Sequence, residues 1–145
     1  MIEEERPTVP IWFWVISVIA LLWNLVGLLA FAGQMMMTEE TLATLPEEQQ
    51  ALYQNIPVWV IVCFAIAVLA GVLGSLLLLF RSRLAVACLF LSLLGVIGQY
   101  GHMFFMTKTM EVVGIGAMVL PVLVVIISIA LVPFSKLCQR KGILN

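Results

Sequence analysis

Residues 56–80 read IPVWVIVCFAIAVLAGVLGSLLLLF, a stretch without one charged side chain. At ~1.5 Å of helical rise per residue it covers about 35 Å, enough to cross a bilayer hydrocarbon core of about 30 Å. Three more runs of the same kind surround it, at about residues 11–33, 84–106 and 112–134, again with no charge inside. Four such segments leave little of a 145-residue chain for anything else. The fold class that follows is an all-α membrane protein, an up-down bundle of four transmembrane helices forming a single domain over residues 1–145.

Composition agrees with the runs. Hydrophobic residues make up 63% of the chain and charged ones 10%, against about 25% charged in soluble domains. The net charge of −1 offers no basic surface for nucleic acid, so the partner this chain calls for is the lipid bilayer. Cys63 and Cys88 lie inside runs and Cys138 lies in the tail. Their spacing fits neither a disulfide framework nor a metal motif, and free thiols are expected. Ala30-Phe31-Ala32 has the small-x-small look of a signal-peptide cleavage site. The head before the run carries Glu3, Glu4 and Glu5 where a signal wants positive charge, so the first helix is expected to be retained.

Positive charge sorts by loop. Arg6, Arg81, Arg83, Lys136, Arg140 and Lys141 fall on one side of the predicted membrane and Lys108 alone on the other. The positive-inside rule then places both termini in the cytoplasm. Trp12 and Trp14 mark the inner boundary, and Tyr53, Trp59, Tyr100, Phe104 and Phe105 the outer one. The outer loop, residues 34–55, is acidic and has no basic residue. Thr38 before Glu39-Glu40, and Thr44 with Pro46 before Glu47-Glu48, read as two helix starts. The links Arg81–Arg83 and Thr107–Glu111 are too short for anything but antiparallel neighbours.

A faint repeat runs through the chain. An offset of 68 residues matches Leu25 with Leu93, Gly27 with Gly95, and Gly33 with Gly101; an offset of 64 matches Pro57 with Pro121 and Val60 with Val124. Two repeated hairpins (a 2+2 arrangement) would relate the halves by a pseudo-two-fold along the membrane normal.

Small and polar residues keep to one stripe of each helix. Helix 1 shows Ser17, Ala20, Asn24, Gly27, Phe31 and Gln34; helix 3 shows Cys88, Ser92, Gly95, Gln99 and His102. Steps of three and four hold each set on one face. Gly71 and Gly74 on helix 2, with Pro121 on helix 4, complete a set of packing candidates: Gly27, Gly71, Gly74, Ser92, Gly95 and Pro121. Pro121 reads as a mid-span kink. An amide alone in hydrocarbon costs several kcal/mol, on the order of the unsatisfied-group penalty, so Asn24 and Gln99 call for partners or water. Two readings stand side by side. Asn24, Gln34, Gln99 and His102 are interhelical glue, or they line an outward-opening pocket for an uncharged polar solute.

His102 is the sole histidine, and neither a second histidine nor a carboxylate lies within a run. No metal site or cofactor is therefore expected; the methionines around it, Met35, Met36, Met37, Met103 and Met106, read as apolar filling. There is no Asp at all, no Glu within a run, no CxxC and no nucleophile–base set, so the chain is not expected to be an enzyme and has no catalytic residues to name.

Trp23-Asn24-Leu-Val-Gly27, Leu45-Pro46-Glu-Glu-Gln-Gln-Ala-Leu-Tyr53 and Gly98-Gln99-Tyr100-Gly101-His102 resemble a group of small four-helix bacterial membrane proteins often labelled sugar transporters. The likeness covers nearly the whole chain. It implies an inner-membrane, multi-pass location and a transporter or facilitator of a solute such as a sugar. A carrier of this size is expected to work as a homo-oligomer; the alternative is a non-catalytic accessory or assembly subunit of a larger membrane complex.

Overall fold

The computed structural model describes residues 9–105, 111 and 114–144. The acidic head with Arg6, the link carrying Lys108, Met106, and Val112–Val113 at the start of the fourth run lie outside the described residues. The elements are α1 (Ile11–Met35), the short α2 (Glu39–Ala43) and α3 (Glu47–Gln54), α4 (Val58–Leu79), α5 (Leu84–Phe105), and α6 (Val119–Arg140) after a 3-10 turn at Ile115–Met118. The four long helices reach mean hydropathies of 1.9 to 2.8 over 18 residues and are long enough to cross a membrane. The protein is an all-α membrane protein with four transmembrane-capable helices, and its apolar outer faces meet lipid. One end of the bundle carries the Arg81–Arg83 link and the C-terminus, and is called here the basic end; the other, carrying α2 and α3, is the loop end.

In lipid, leucine surface gains nothing by leaving hydrocarbon, so close backbone approach has to supply the packing energy. The α4–α5 seam does so at Gly95 and Gly74, and Gly71 does so where α1 meets α4. A Cβ on Gly95 would stand 2.6 Å from the Cys63 carbonyl oxygen and 2.8 Å from the Ala67 nitrogen. One on Gly74 would stand 2.9 Å from Leu89 Cδ2, and one on Gly71 would collide with Asn24 Oδ1. Ser92 Oγ donates across the α4–α5 seam to the Ala67 carbonyl at 2.6 Å. Gly27 is looser, since its added Cβ would meet Val68 Cγ1 at an ordinary 3.5 Å.

α4 lies between α1 and α5, and α5 carries α6. The hairpins α1–α4 and α5–α6 are the pairs a 2+2 repeat requires. A two-fold would also match the α4–α5 seam with an equal α6–α1 seam. Instead α1 and α6 meet at the basic end through rings, Trp12 on Phe134 at 5.8 Å and Phe13 on Phe134 at 6.3 Å between centroids. The bundle is a row closed at one end rather than a symmetric square.

That closed end holds the main core: Phe13, Leu78, Ala85, Leu89, Val132, Cys138, Ile143 and Leu144. Two helix stops build it. After α4, Ser82 N–H donates to the Leu77 carbonyl at 2.8 Å and Arg81 N–H to Leu78 at 2.9 Å, a Schellman stop with Arg81 at φ 57° where glycine is usual. After α6 the same pattern recurs, with Ile143 N–H on Cys138 at 2.9 Å and Gly142 at φ 74°. Arg81 Nε donates to the Ile143 carbonyl at 2.9 Å, which ties the two stops together and folds the tail onto the core.

The fourth run therefore differs from its expected span of 112–134. Gly114, at φ 85°, holds off the helix until Val119, and helix continues to Arg140. Lys136 and Arg140 stay exposed while Ser135 and Cys138 are buried, so α6 is amphipathic where the chain leaves hydrocarbon. Cys138 is not a tail thiol but a core residue, and it is free, as are Cys63 and Cys88. Pro121 is not a mid-span kink. It sits in the first turn of α6, where a missing N–H costs nothing, and Pro133 is the proline inside the helix.

Ser17 Oγ is the one buried side-chain polar atom among the described residues with no hydrogen-bond partner. An unpaired buried hydroxyl carries a desolvation cost of about 1–3 kcal/mol. Ser17→Ala is expected to leave stability unchanged or raise it by up to about 1 kcal/mol, as read by thermal unfolding in detergent. A loss of that size instead would reveal a partner for the hydroxyl.

Candidate functional site

The loop end is built by short-range rules. Thr38 Oγ1 caps α2 by accepting from Thr41 N–H at 3.2 Å. Gln50 Nε2 donates to the Leu45 carbonyl at 2.7 Å, which folds α3 back against the α2–α3 turn. Pro57 precedes the first turn of α4 with an extended backbone, so the chain changes direction there and drops into the membrane.

Beneath α2 and α3 the long helices leave a chamber of about 1190 Å³. Gln34 enters from α1, Glu48 and Tyr53 from α3, Val60 and Phe64 from α4, Gln99, Tyr100 and His102 from α5, and Leu120 and Pro121 from α6. Glu111 stands on its wall as well. A smaller cavity of about 160 Å³, lined by Gln34, Met37, Leu42 and Tyr53, adjoins it. Ala30, Phe64 and Gln99 are the deepest members on their helices, about one and a half turns or ~8–9 Å in from the helix ends. Two ring pairs brace the walls: Phe31 edge-on to Phe64 at 5.1 Å, and Trp59 edge-on to His102 at 5.3 Å.

The four polar candidates separate here. Gln34, Gln99 and His102 share the chamber. Asn24 is not among its lining residues. Asn24 Nδ2 donates to the Ala20 carbonyl at 2.8 Å and to Ser75 Oγ at 3.0 Å, and Ser75 Oγ donates on to the Gly71 carbonyl at 2.8 Å. Asn24 thus joins α1 to α4 about 16 Å below the loop end of α1, spending both amide hydrogens on the protein itself. In contrast, neither the Gln34 nor the Gln99 side-chain amide has a hydrogen-bond partner among the described residues. Of the packing candidates, Pro121 is buried against the chamber, Gly74, Ser92 and Gly95 lie in the α4–α5 seam, and Gly71 lies against Asn24 of α1 with Ser92 of α5 close by.

Several lining residues carried no signal as a site in the sequence. Phe64 read as plain apolar span, Glu48 as helix-start chemistry and Glu111 as part of a link. Phe64 goes with Gln99 by depth, since the two sit the same number of turns from the loop end on neighbouring helices, whereas Glu48 comes from α3 and Glu111 from outside the long helices. No set of three His, Cys, Asp or Glu among the described residues is grouped to hold a metal ion.

Chemically the chamber offers amides that donate and accept, carboxylates that accept, one imidazole, and aromatic faces. None of its described lining residues is Lys or Arg. No protein-family model, curated protein or solved structure matches the chain, so function is argued from the chamber.

Proposed function

We propose that the protein is a small carrier that takes up an uncharged polar solute, such as a sugar, through the loop-end chamber. The observation that carries this reading is the meeting of Gln34, Gln99 and His102 in one space of about 1190 Å³, with the Gln34 and Gln99 amides having no hydrogen-bond partner among the described residues. Small-molecule sites commonly run to about 300–1,000 Å³, so a monosaccharide or disaccharide fits with water to spare. Hydroxyl groups both donate and accept, and so do the amides; Glu48 and Glu111 accept from hydroxyls; Tyr53, Phe64 and Tyr100 offer ring faces to C–H surfaces. An anion would meet two carboxylates and no described cation.

One-sided access supports transport rather than passive leakage. The basic end is sealed by Phe13, Leu78 and Leu144, each at most 1% exposed, while the chamber opens at the other. Passage needs the basic end to part. With the positive-inside orientation the chamber faces outward and both termini lie in the cytoplasm of a bacterial inner membrane. The alternative, an accessory subunit, gives the chamber no role.

Reconstituted into liposomes, the protein is expected to give saturable uptake of at least one member of a panel of neutral sugars and polyols, above protein-free vesicles, and none of sugar acids. Uptake indistinguishable from empty vesicles across the neutral panel would refute the carrier reading.

A further inference from the structure

The chamber does not end at its polar wall. α1 and α6 both contribute to it, through Ala30 and Leu120, and both run from there to the ring contact at the basic end. Between these points they are not a packed pair: the pairings that hold the bundle are α1 on α4, α4 on α5 and α5 on α6. On α1 the flank in line with Trp12 and Ala30 is Ile16, Ile19, Trp23 and Val26, at steps of three and four. On α6 the flank in line with Phe134 and Leu120 is Ile127 and Leu123. Val26 is 61% exposed, Ile19 59% and Leu120 61%, so these flanks lie open to lipid on either side of the space between α1 and α6. The two apolar flanks, not packed on each other, thus lead from Trp12 and Phe134 to Ala30 and Leu120 on the chamber wall, and the space between them is taken here as the α1–α6 groove.

Within a membrane, the material available to fill an apolar groove at this depth is hydrocarbon chain. Continuity with the chamber decides what that chain would carry. Its head must be polar enough for Gln34, Gln99 and His102, and Glu48 and Glu111 disfavour a phosphate there. We propose that the solute is the head group of a lipid, an amphiphile with an uncharged, hydroxyl-rich head in the chamber and its chain along the α1–α6 groove. The proposal rests on the chamber being a solute site and adds the route: lateral, from the bilayer. A head group can then reach Gln99 while its chain stays in hydrocarbon.

The test uses matched methyl and dodecyl glycosides of a panel of neutral hexoses, with the full-length protein in phosphatidylcholine nanodiscs. Binding is read from radiolabelled glycoside retained by the nanodiscs, after subtraction of protein-free nanodiscs. The comparison protein is V26W/L123W, which fills the groove below the chamber at two lipid-exposed positions and alters no chamber residue. For at least one hexose, the wild type is expected to bind the dodecyl glycoside about tenfold or more tightly than the methyl one, because the chain is concentrated in the bilayer. V26W/L123W is expected to lose about tenfold for the dodecyl glycoside alone, since blocking the groove forces methylenes out of hydrocarbon. Methyl glycoside binding that survives with no advantage for the dodecyl form, or a dodecyl affinity unchanged by V26W/L123W, would overturn the lipid route and leave the solute site standing. Failure of every glycoside in both proteins would remove the solute site as well. A dimer that V26W/L123W disrupts would assign the groove to a second copy of the chain and overturn the proposal.

Discussion

Gly95→Ala is expected to destabilise the bundle by about 3 kcal/mol or more, at or above the upper end of ordinary overpacking costs. The added methyl would lie 2.6 Å from the Cys63 carbonyl oxygen and 2.8 Å from the Ala67 nitrogen. Both are backbone atoms of a neighbouring helix and have no rotamer to retreat into. Relief requires α4 and α5 to separate, which would also stretch the 2.6 Å bond from Ser92 to Ala67. Gly27→Ala is the matched control. Its Cβ finds Val68 Cγ1 at 3.5 Å, and alanine is the better helix former by about 1 kcal/mol, so stability is expected to hold or rise. Unfolding of the two variants in detergent, followed by circular dichroism, checks the contrast. Equal melting of the pair would mean that the α4–α5 seam is not what holds the bundle.

Gln99→Leu is expected to reduce saturable solute uptake by about tenfold or more while leaving unfolding within about 0.5 kcal/mol of wild type. The Gln99 amide makes no hydrogen bond to the described protein, so its removal costs the fold nothing there, and any loss must be felt by what enters the chamber. Asn24→Leu is expected to do the reverse. It removes two hydrogen bonds, to Ala20 and Ser75, and puts a branched side chain against Gly71. A stability loss of about 1–3 kcal/mol is expected. A Gln99→Leu protein that melts early, or transports normally, would return Gln99 to the packing seam.

The membrane-crossing helices were legible because hydrocarbon imposes length and polarity on every residue it touches. The inward stripes were legible for the same reason: Ser17, Ala20 and Ser92 are buried where the three-four spacing puts them. The division of labour among the stripe polars was not. Counted from the inner ends of their runs, Asn24 and Gln99 lie at similar depths of about 20 and 22 Å, and only the pairing of α1 with α4 shows that Ser75 is waiting for one of them. The span of α6 was misjudged because apolarity was allowed to mark its end. Gly114 and Gly142, both at positive φ, were the better markers, and the run from Lys136 to Lys141 before Gly142 is a helix ending with its cations in the last turn. The chamber was legible only in its polar residues Gln34, Gln99 and His102; its apolar and acidic walls were not, because a space between helices leaves no residue behind to read.

The central claim is that Gln99 faces a water-filled chamber reached from the loop end, whereas Asn24 lies outside it and is hydrogen-bonded to Ala20 and Ser75. It is tested most directly by single cysteines at Gln99→Cys and Asn24→Cys, in a background with Cys63, Cys88 and Cys138 replaced by alanine. A membrane-impermeant maleimide is added to one side of oriented proteoliposomes at a time. The account predicts that Gln99→Cys reacts from the loop side alone and is slowed by a neutral solute, and that Asn24→Cys does not react. A Gln99→Cys that resists label from the loop side, or an Asn24→Cys that takes it equally well, would contradict the account.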